Sequence, residues 1–204
     1  MELQHPDASL LLRAYAQGIF PMADPHTGRI DYYSPDPRAL LPLDGSFHVP
    51  KSLARVVRSG VFEVRSDTAF ERVIRSCAEP RPGRRETWLN ERLIEPYLEL
   101  HGAGFAHSVE AWRDGALVGG LYGVHLGGAF FGESMFSRSE LGGRDASKVC
   151  LVQLVEWLRE GGFRLLDTQF TTSHLARFGC LEISRKEYLA KLSRALRASA
   201  HWPA

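Results

Sequence analysis

Asp167 and Gln169 stand two residues apart in the stretch 163–170, after Leu165-Leu166 and before Phe170. In a strand that spacing sends both side chains to one face. A carboxylate and an amide among leucines and phenylalanines cost free energy to bury unless they are hydrogen-bonded. They are therefore either a satisfied structural pair near a strand end or the polar wall of a site at the end of a sheet. Glu133, between Gly132 and Ser134 in the aromatic stretch AFFGESMF, poses a similar question. Its carboxylate must meet either an arginine of the chain itself or a cationic ligand.

The common catalytic constellations do not account for these residues. The string nearest to a GxSxG elbow, Gly132-Glu133-Ser134-Met135-Phe136, lacks the second glycine. There is no HExxH, P-loop or GxGxxG. The eight histidines have no metal spacing, and no metal site is expected. Cys77, Cys150 and Cys180 lie far apart without a CxxC, which reads as reduced, core-packed thiols of a cytosolic protein.

Charge is unevenly spread. Residues 1–50 carry a balance of −3 and residues 51–85, which include Arg81, Arg84 and Arg85, a balance of +5. Helical spacing places Arg55 and Arg58 on one face and Arg72 and Arg75 on another. These faces are either simply solvated or a surface that contacts the phosphates of a nucleic acid.

The elements that must position these groups are legible from periodicity. Asp7 caps a short helix that stops at Gly18. The stretch 21–42, rich in Pro, Asp, Gly and Tyr, reads as an ordered loop. Residues 52–59 and 67–77 read as helices around a short strand, VFEVR, and residues 91–101 as a helix stopped by Gly102. Alternation at 106–112, a turn at 113–115 and a returning strand at 116–126 make a hairpin. A further strand, a long loop, a helix at 146–159 and a strand at 163–170 complete a mixed α/β (α+β) fold with a largely antiparallel sheet. With 204 residues, 44% of them hydrophobic, the chain can bury about two-thirds of its unfolded surface without disulfides or metals. The apolar stretch 10–22 is short and broken by Arg13, Gln17 and Gly18, so neither an export signal nor a membrane span is expected.

Taken together, GIFPM at 18–22, YSPDPRA at 33–39, HGAGFAHSVEAW at 101–112, LVGGLYGV at 117–124, FGESMFS at 131–137, ASK at 146–148 and the DxQ of Asp167 and Gln169 resemble the leucyl/phenylalanyl-tRNA–protein transferase family. The match runs in the family's order from about Leu10 to Leu192. It implies a small N-terminal domain, residues 1–37, and an acyl-CoA N-acyltransferase-like (GNAT-like) domain, residues 38–204. It also implies transfer of Leu or Phe, and Met more weakly, from aminoacyl-tRNA to proteins with N-terminal Arg or Lys, which marks them for degradation. A cytoplasmic enzyme is implied, and without a long apolar seam a monomer is expected.

By the resemblance, Asp167 and Gln169 are the catalytic pair, with Gln169 orienting the attacking amine and Asp167 polarising Gln169. Glu133 then contacts the incoming N-terminus. Trp88, Leu121, Phe130, Leu154 and Leu158 match the pocket for the aminoacyl side chain, with Met22 at its mouth, and the arginine faces contact tRNA. Many members carry Trp where Met22 stands. The chemistry is compatible with this: an aminoacyl ester is already activated, and an α-amine with a pKa of about 7.7–8.0 is partly neutral at pH 7. Positioning is then the main task, and no cofactor is expected. A rival is a CoA-dependent N-acetyltransferase, since Leu141-Gly142-Gly143-Arg144 before a helix resembles a pyrophosphate-binding loop.

Overall fold

The computed structural model describes residues 6–80 and 86–203; Arg81, Arg84 and Arg85 lie outside the described residues. The Asp7 carboxylate accepts a hydrogen bond from the Leu10 amide and so caps α1 (Ala8–Ala16). The loop expected at 21–42 instead contains three four-residue strands. β1 (Phe20–Ala23) and β2 (Ile30–Tyr33) pair as a small antiparallel hairpin, and β3 (Arg38–Leu41) joins the main sheet. Strands this short, carrying Pro21, Asp31 and Arg38, offer too few alternating positions for a periodic signal.

α2 (Lys51–Ser59), β4 (Glu63–Ser66) and α3 (Phe70–Ala78) follow, then α4 (Glu91–Gly102), capped by Asn90. β5 (Ala106–Arg113) and β6 (Ala116–Leu126) form a hairpin whose two turn residues, Asp114 and Gly115, both have positive φ, as a tight primed turn requires. β7 (Ala129–Ser137), α5 (Ala146–Glu160), β8 (Leu165–Gln169), α6 (Ser173–Ala176), β9 (Leu181–Ile183) and α7 (Arg185–Leu196) complete the order.

The main sheet has the order β4-β5-β6-β7-β8-β3-β9. It is antiparallel except where β7 lies parallel to β8, which is the pair joined through α5. Apolar side chains alternate across the sheet into two cores. One, with Tyr15, Val73, Tyr97, Phe131 and Tyr188, lies under α1, α3, α4 and α7. The other, with Leu53, Phe130, Leu154 and Leu158, lies under α2 and α5. Among the described residues no helix is long and apolar enough to cross a membrane.

Candidate active site

β7 and β8 pair only as far as Phe131 and Asp167. β7 continues to Ser137 and β8 to Gln169, so the two strands part. A bulge falls on each strand at the parting: Glu133 is the extra residue of β7 against β6, and Thr168 that of β8 against β3. A cavity of about 510 Å³ occupies the gap. Leu121, Met135, Leu151, Leu154 and Leu166 supply much of its apolar wall, with Phe20, Met22 and Trp88 from the N-terminal part of the chain. Glu133, Ser134, Thr168 and Gln169 give it a polar edge.

Of the expected pocket residues, Met22, Trp88, Leu121 and Leu154 line this cavity, and Phe130 and Leu158 do not. Both are fully buried core. Phe130 sits where β7 and β8 are still paired, opposite Leu166, so no gap opens beside it. Its ring stacks instead on Trp202. Leu158 lies one helical turn beyond Leu154, past the part of α5 that reaches the cavity.

Asp167 also departs from expectation. It has no exposure and does not line the cavity. Its Oδ1 accepts hydrogen bonds from Arg38 Nε and from the Gln169 backbone N–H, each at 2.9 Å. Its Oδ2 accepts from Arg38 Nη2 and from the Tyr188 hydroxyl, each at 2.6 Å. It therefore grips the backbone of Gln169, not the side-chain amide. Burial works against the charge on Arg38, but Asp167 outweighs it and holds the guanidinium pKa above its usual value. The guanidinium also lies against the rings of Phe20 and Tyr188 and donates to the Gly18 carbonyl at 3.0 Å.

Gln169 is held at φ 58°, a left-handed conformation rare for a residue with a side chain. Its Nε2 donates to Glu133 Oε1 at 3.3 Å. Glu133 thus meets neither an arginine nor, in the chain alone, a cation. Its neighbours are Gln169 and the hydroxyls of Tyr97, at 3.5 Å, and Tyr15. It is half-buried and lines the cavity, and burial pushes its pKa up to about 8 against the opposing hydrogen bonds of Tyr15 and Tyr97.

The arginine surface is not assembled as expected. α2 and α3 pack on opposite faces of the sheet, so Arg55 and Arg58 do not join Arg72 and Arg75. Arg75 is paired with Glu71 and Glu91, each at 2.9 Å, and Arg72 lies over the Trp112 ring. A second, polar cavity of about 250 Å³ is lined by Arg144, Asp145, Lys148 and Arg177 and shares His174 with the first. Burial, then the positive charges of Lys148 and Arg177, hold the His174 pKa down. Arg144 and Lys148 are four residues apart, but no run or period in the sequence connects them to Arg177, so charge patterning could not find this group.

The glycines before α5 serve packing. A Cβ on Gly143 would lie 2.3 Å from the Val118 carbonyl oxygen. The first amides of α5 are already engaged, Ala146 by the Gly143 carbonyl and Ser147 by the Ser137 hydroxyl. A pyrophosphate would find few free donors there. Among the described residues no group of three His, Cys, Asp or Glu could hold a metal.

The lipophilic cavity that opens between the two parting strands has an amide and a carboxyl at its edge, a make-up that suits a small apolar group carrying a polar end. The sequence profile described as leucyl/phenylalanyl-tRNA protein transferase matches residues 40–193, and that of the corresponding N-terminal domain matches residues 5–36. Curated transferases of that name from Herpetosiphon aurantiacus and Paramagnetospirillum magneticum are each 57% identical to the chain. The first match covers 94% of this chain and 95% of the relative, the second 95% and 90%. The chain belongs to the leucyl/phenylalanyl-tRNA–protein transferase family, and is an aminoacyltransferase. Solved structures that are similar in part include a ribosomal-protein-alanine N-acetyltransferase from Brucella melitensis biovar Abortus (17% identity, TM-score 0.40, covering 70% of this chain and 96% of that one). Another is L-PGS from Bacillus licheniformis (13% identity, TM-score 0.44, covering 82% and 54%).

Proposed function

We propose that this protein transfers Leu or Phe, and Met more weakly, from aminoacyl-tRNA to the α-amino group of proteins beginning with Arg or Lys. We place it in the cytoplasm, as a monomer, with its product marked for degradation. The observation that carries the reading is the cavity whose apolar wall ends at Gln169 and Glu133. An aminoacyl side chain held by Leu121, Leu154 and Met135 brings its ester to that polar edge. Gln169 then orients the amine and Glu133 contacts it. Asp167 acts as a positioning residue through Arg38, Tyr188 and the Gln169 backbone. Residues 1–37, taken as a small domain, contribute Phe20 and Met22. The phosphates of the acceptor end fall to Arg144, Lys148 and Arg177 beside the cavity, and the activated ester makes ATP, CoA or a metal unnecessary.

Transfer from a panel of charged tRNAs to peptides beginning with Arg, Lys, Asp or Glu tests this. Leu and Phe moving to Arg and Lys peptides is the expected result. Acetylation from acetyl-CoA without use of charged tRNA would sink the reading, as would tRNA binding without any transfer. A preference for Asp or Glu peptides would sink the acceptor assignment.

A further inference from the structure

Aminolysis of an ester must relocate one proton, from the attacking nitrogen to the departing oxygen. Of the polar groups that line or adjoin the cavity, three are joined to one another by hydrogen bonds, Gln169, Asp167 and Glu133, while His174 lies on the side shared with the polar cavity of Lys148 and Arg177. Gln169 is an amide and a poor base. Asp167 is outside the cavity, and both of its oxygens are already held by hydrogen bonds of 2.6–2.9 Å from Arg38, Tyr188 and the Gln169 backbone. Glu133 is the remaining carboxyl, and it lines the cavity. Two of its hydrogen bonds are long, 3.3 Å from Gln169 and 3.5 Å from Tyr97, and beside these and the Tyr15 hydroxyl its carboxylate keeps lone pairs for a substrate.

We propose that Glu133 shuttles the proton of the transfer step between the attacking amine and the departing ribose oxygen. This rests on the reading given under Proposed function. The neutral amine attacks the ester carbon, forming the C–N bond and leaving positive charge on nitrogen and negative charge on the former carbonyl oxygen. The Glu133 carboxylate takes the nitrogen's proton. The carbonyl re-forms, the C–O bond to the ribose breaks, and the ribose oxygen receives the same proton from the Glu133 carboxyl. Glu133 ends ionised as it began, and the products are an amide and a tRNA hydroxyl.

The surroundings suit a shuttle. The groups facing Glu133 are Tyr15 of α1, Tyr97 of α4, Arg38 of β3, and Asp167 and Gln169 of β8. The Tyr15 and Tyr97 hydroxyls lie 2.6 Å apart, so one donates to the other and the pair keeps one proton for the carboxylate, which it solvates without cancelling its charge. Arg38 does not cancel it, because its guanidinium is committed to Asp167. With a pKa near 8, Glu133 matches an α-amine at about 7.7–8.0, so the proton can move in either direction at little cost.

The test is single-turnover transfer from Phe-tRNA to an Arg-initiated peptide, at varied peptide concentration and from pH 6 to 9. Wild type is compared with Glu133→Gln and Glu133→Asp. The expected result for Glu133→Gln is a rate at saturating peptide lowered about 100-fold, with half-saturation little changed. Glu133→Asp, which keeps a carboxylate, recovers part of that rate with a pH profile moved from the wild-type position. Weaker peptide binding with a wild-type saturating rate in Glu133→Gln overturns the proposal and leaves Glu133 a binding contact. Should the amide variant not fold, an unaltered rate and pH profile in Glu133→Asp overturns it equally. Absence of transfer by the wild type strikes the underlying reading instead.

Discussion

Arg38 and Asp167 meet through three hydrogen bonds although neither side chain has any solvent exposure. Such a pair repays its desolvation only if both partners are present and their remaining polar atoms are satisfied. Here they are, by Tyr188, the Gln169 backbone amide and the Gly18 carbonyl. Arg38 links the N-terminal hairpin region to the strand that presents Gln169.

Removing one partner should therefore damage the fold before the chemistry. Arg38→Ala or Asp167→Ala leaves an uncompensated buried charge, at a cost of about 3–5 kcal/mol. Urea unfolding measures it. Replacing both, as Arg38→Met with Asp167→Leu, should recover most of that stability. Transfer should stay low, because the positive-φ backbone of Gln169 loses its acceptor. Single variants as stable as wild type would contradict the account.

Leu154 and Leu158 should separate pocket from core. Leu158→Ala costs about 2–5 kcal/mol of stability and leaves the ranking of Leu-, Phe- and Met-tRNA unchanged. Leu154→Ala enlarges the cavity and shifts that ranking toward Phe, by about 1–3 kcal/mol in all. Transfer rates from the three charged tRNAs, beside a thermal melt, distinguish the two. An altered ranking in Leu158→Ala would place that side chain in the pocket after all.

How far the sequence alone reached depends on the physical range of each signal. The α5 helix, the β5–β6 hairpin and the polar pair on β8 rest on local patterns, periodicity or turn chemistry, and were legible. The 20–41 strands were not, since they are short and irregular. Placing Phe130 outside the cavity needs the point where β7 and β8 part, a tertiary fact. Arg38 looked like one more charge in a turn-rich stretch, yet it is among the most deeply buried side chains. Tyr15, Tyr97 and Tyr188 carry no sequence pattern that marks them, and only packing shows their hydroxyls converging on Glu133 and Asp167.

The two arginine groups predict different salt behaviour. Arg177→Glu should weaken tRNA binding and lower the slope of log affinity against log salt by about 0.7–0.9 for each phosphate that is no longer neutralised. Arg75→Glu breaks pairs with Glu71 and Glu91 and should leave the slope unchanged. Filter binding over salt concentrations from about 50 to 300 mM reads both. A reduced slope in Arg75→Glu alone would return the phosphate site to α3.

Glu133 also predicts a dependence of stability on pH that needs no substrate. Its pKa rises on folding from the ordinary value of 4.5 to about 8, chiefly through burial. Between those pH values the folded chain holds a proton that the unfolded chain has released. Stability falls with rising pH wherever the native state binds more protons, by at most about 1.4 kcal/mol per pH unit for one group. The contribution of Glu133 is therefore intact below pH 4.5, declines through the window, and is fully lost above about 8. Glu133→Gln, which does not titrate, should remove this part of the slope. The variant should gain on wild type steadily from pH 5 to 8 in urea unfolding, with the largest difference at the alkaline end. A constant difference across that range would mean that the carboxyl is ionised in the native protein at neutral pH, with water in the cavity solvating it.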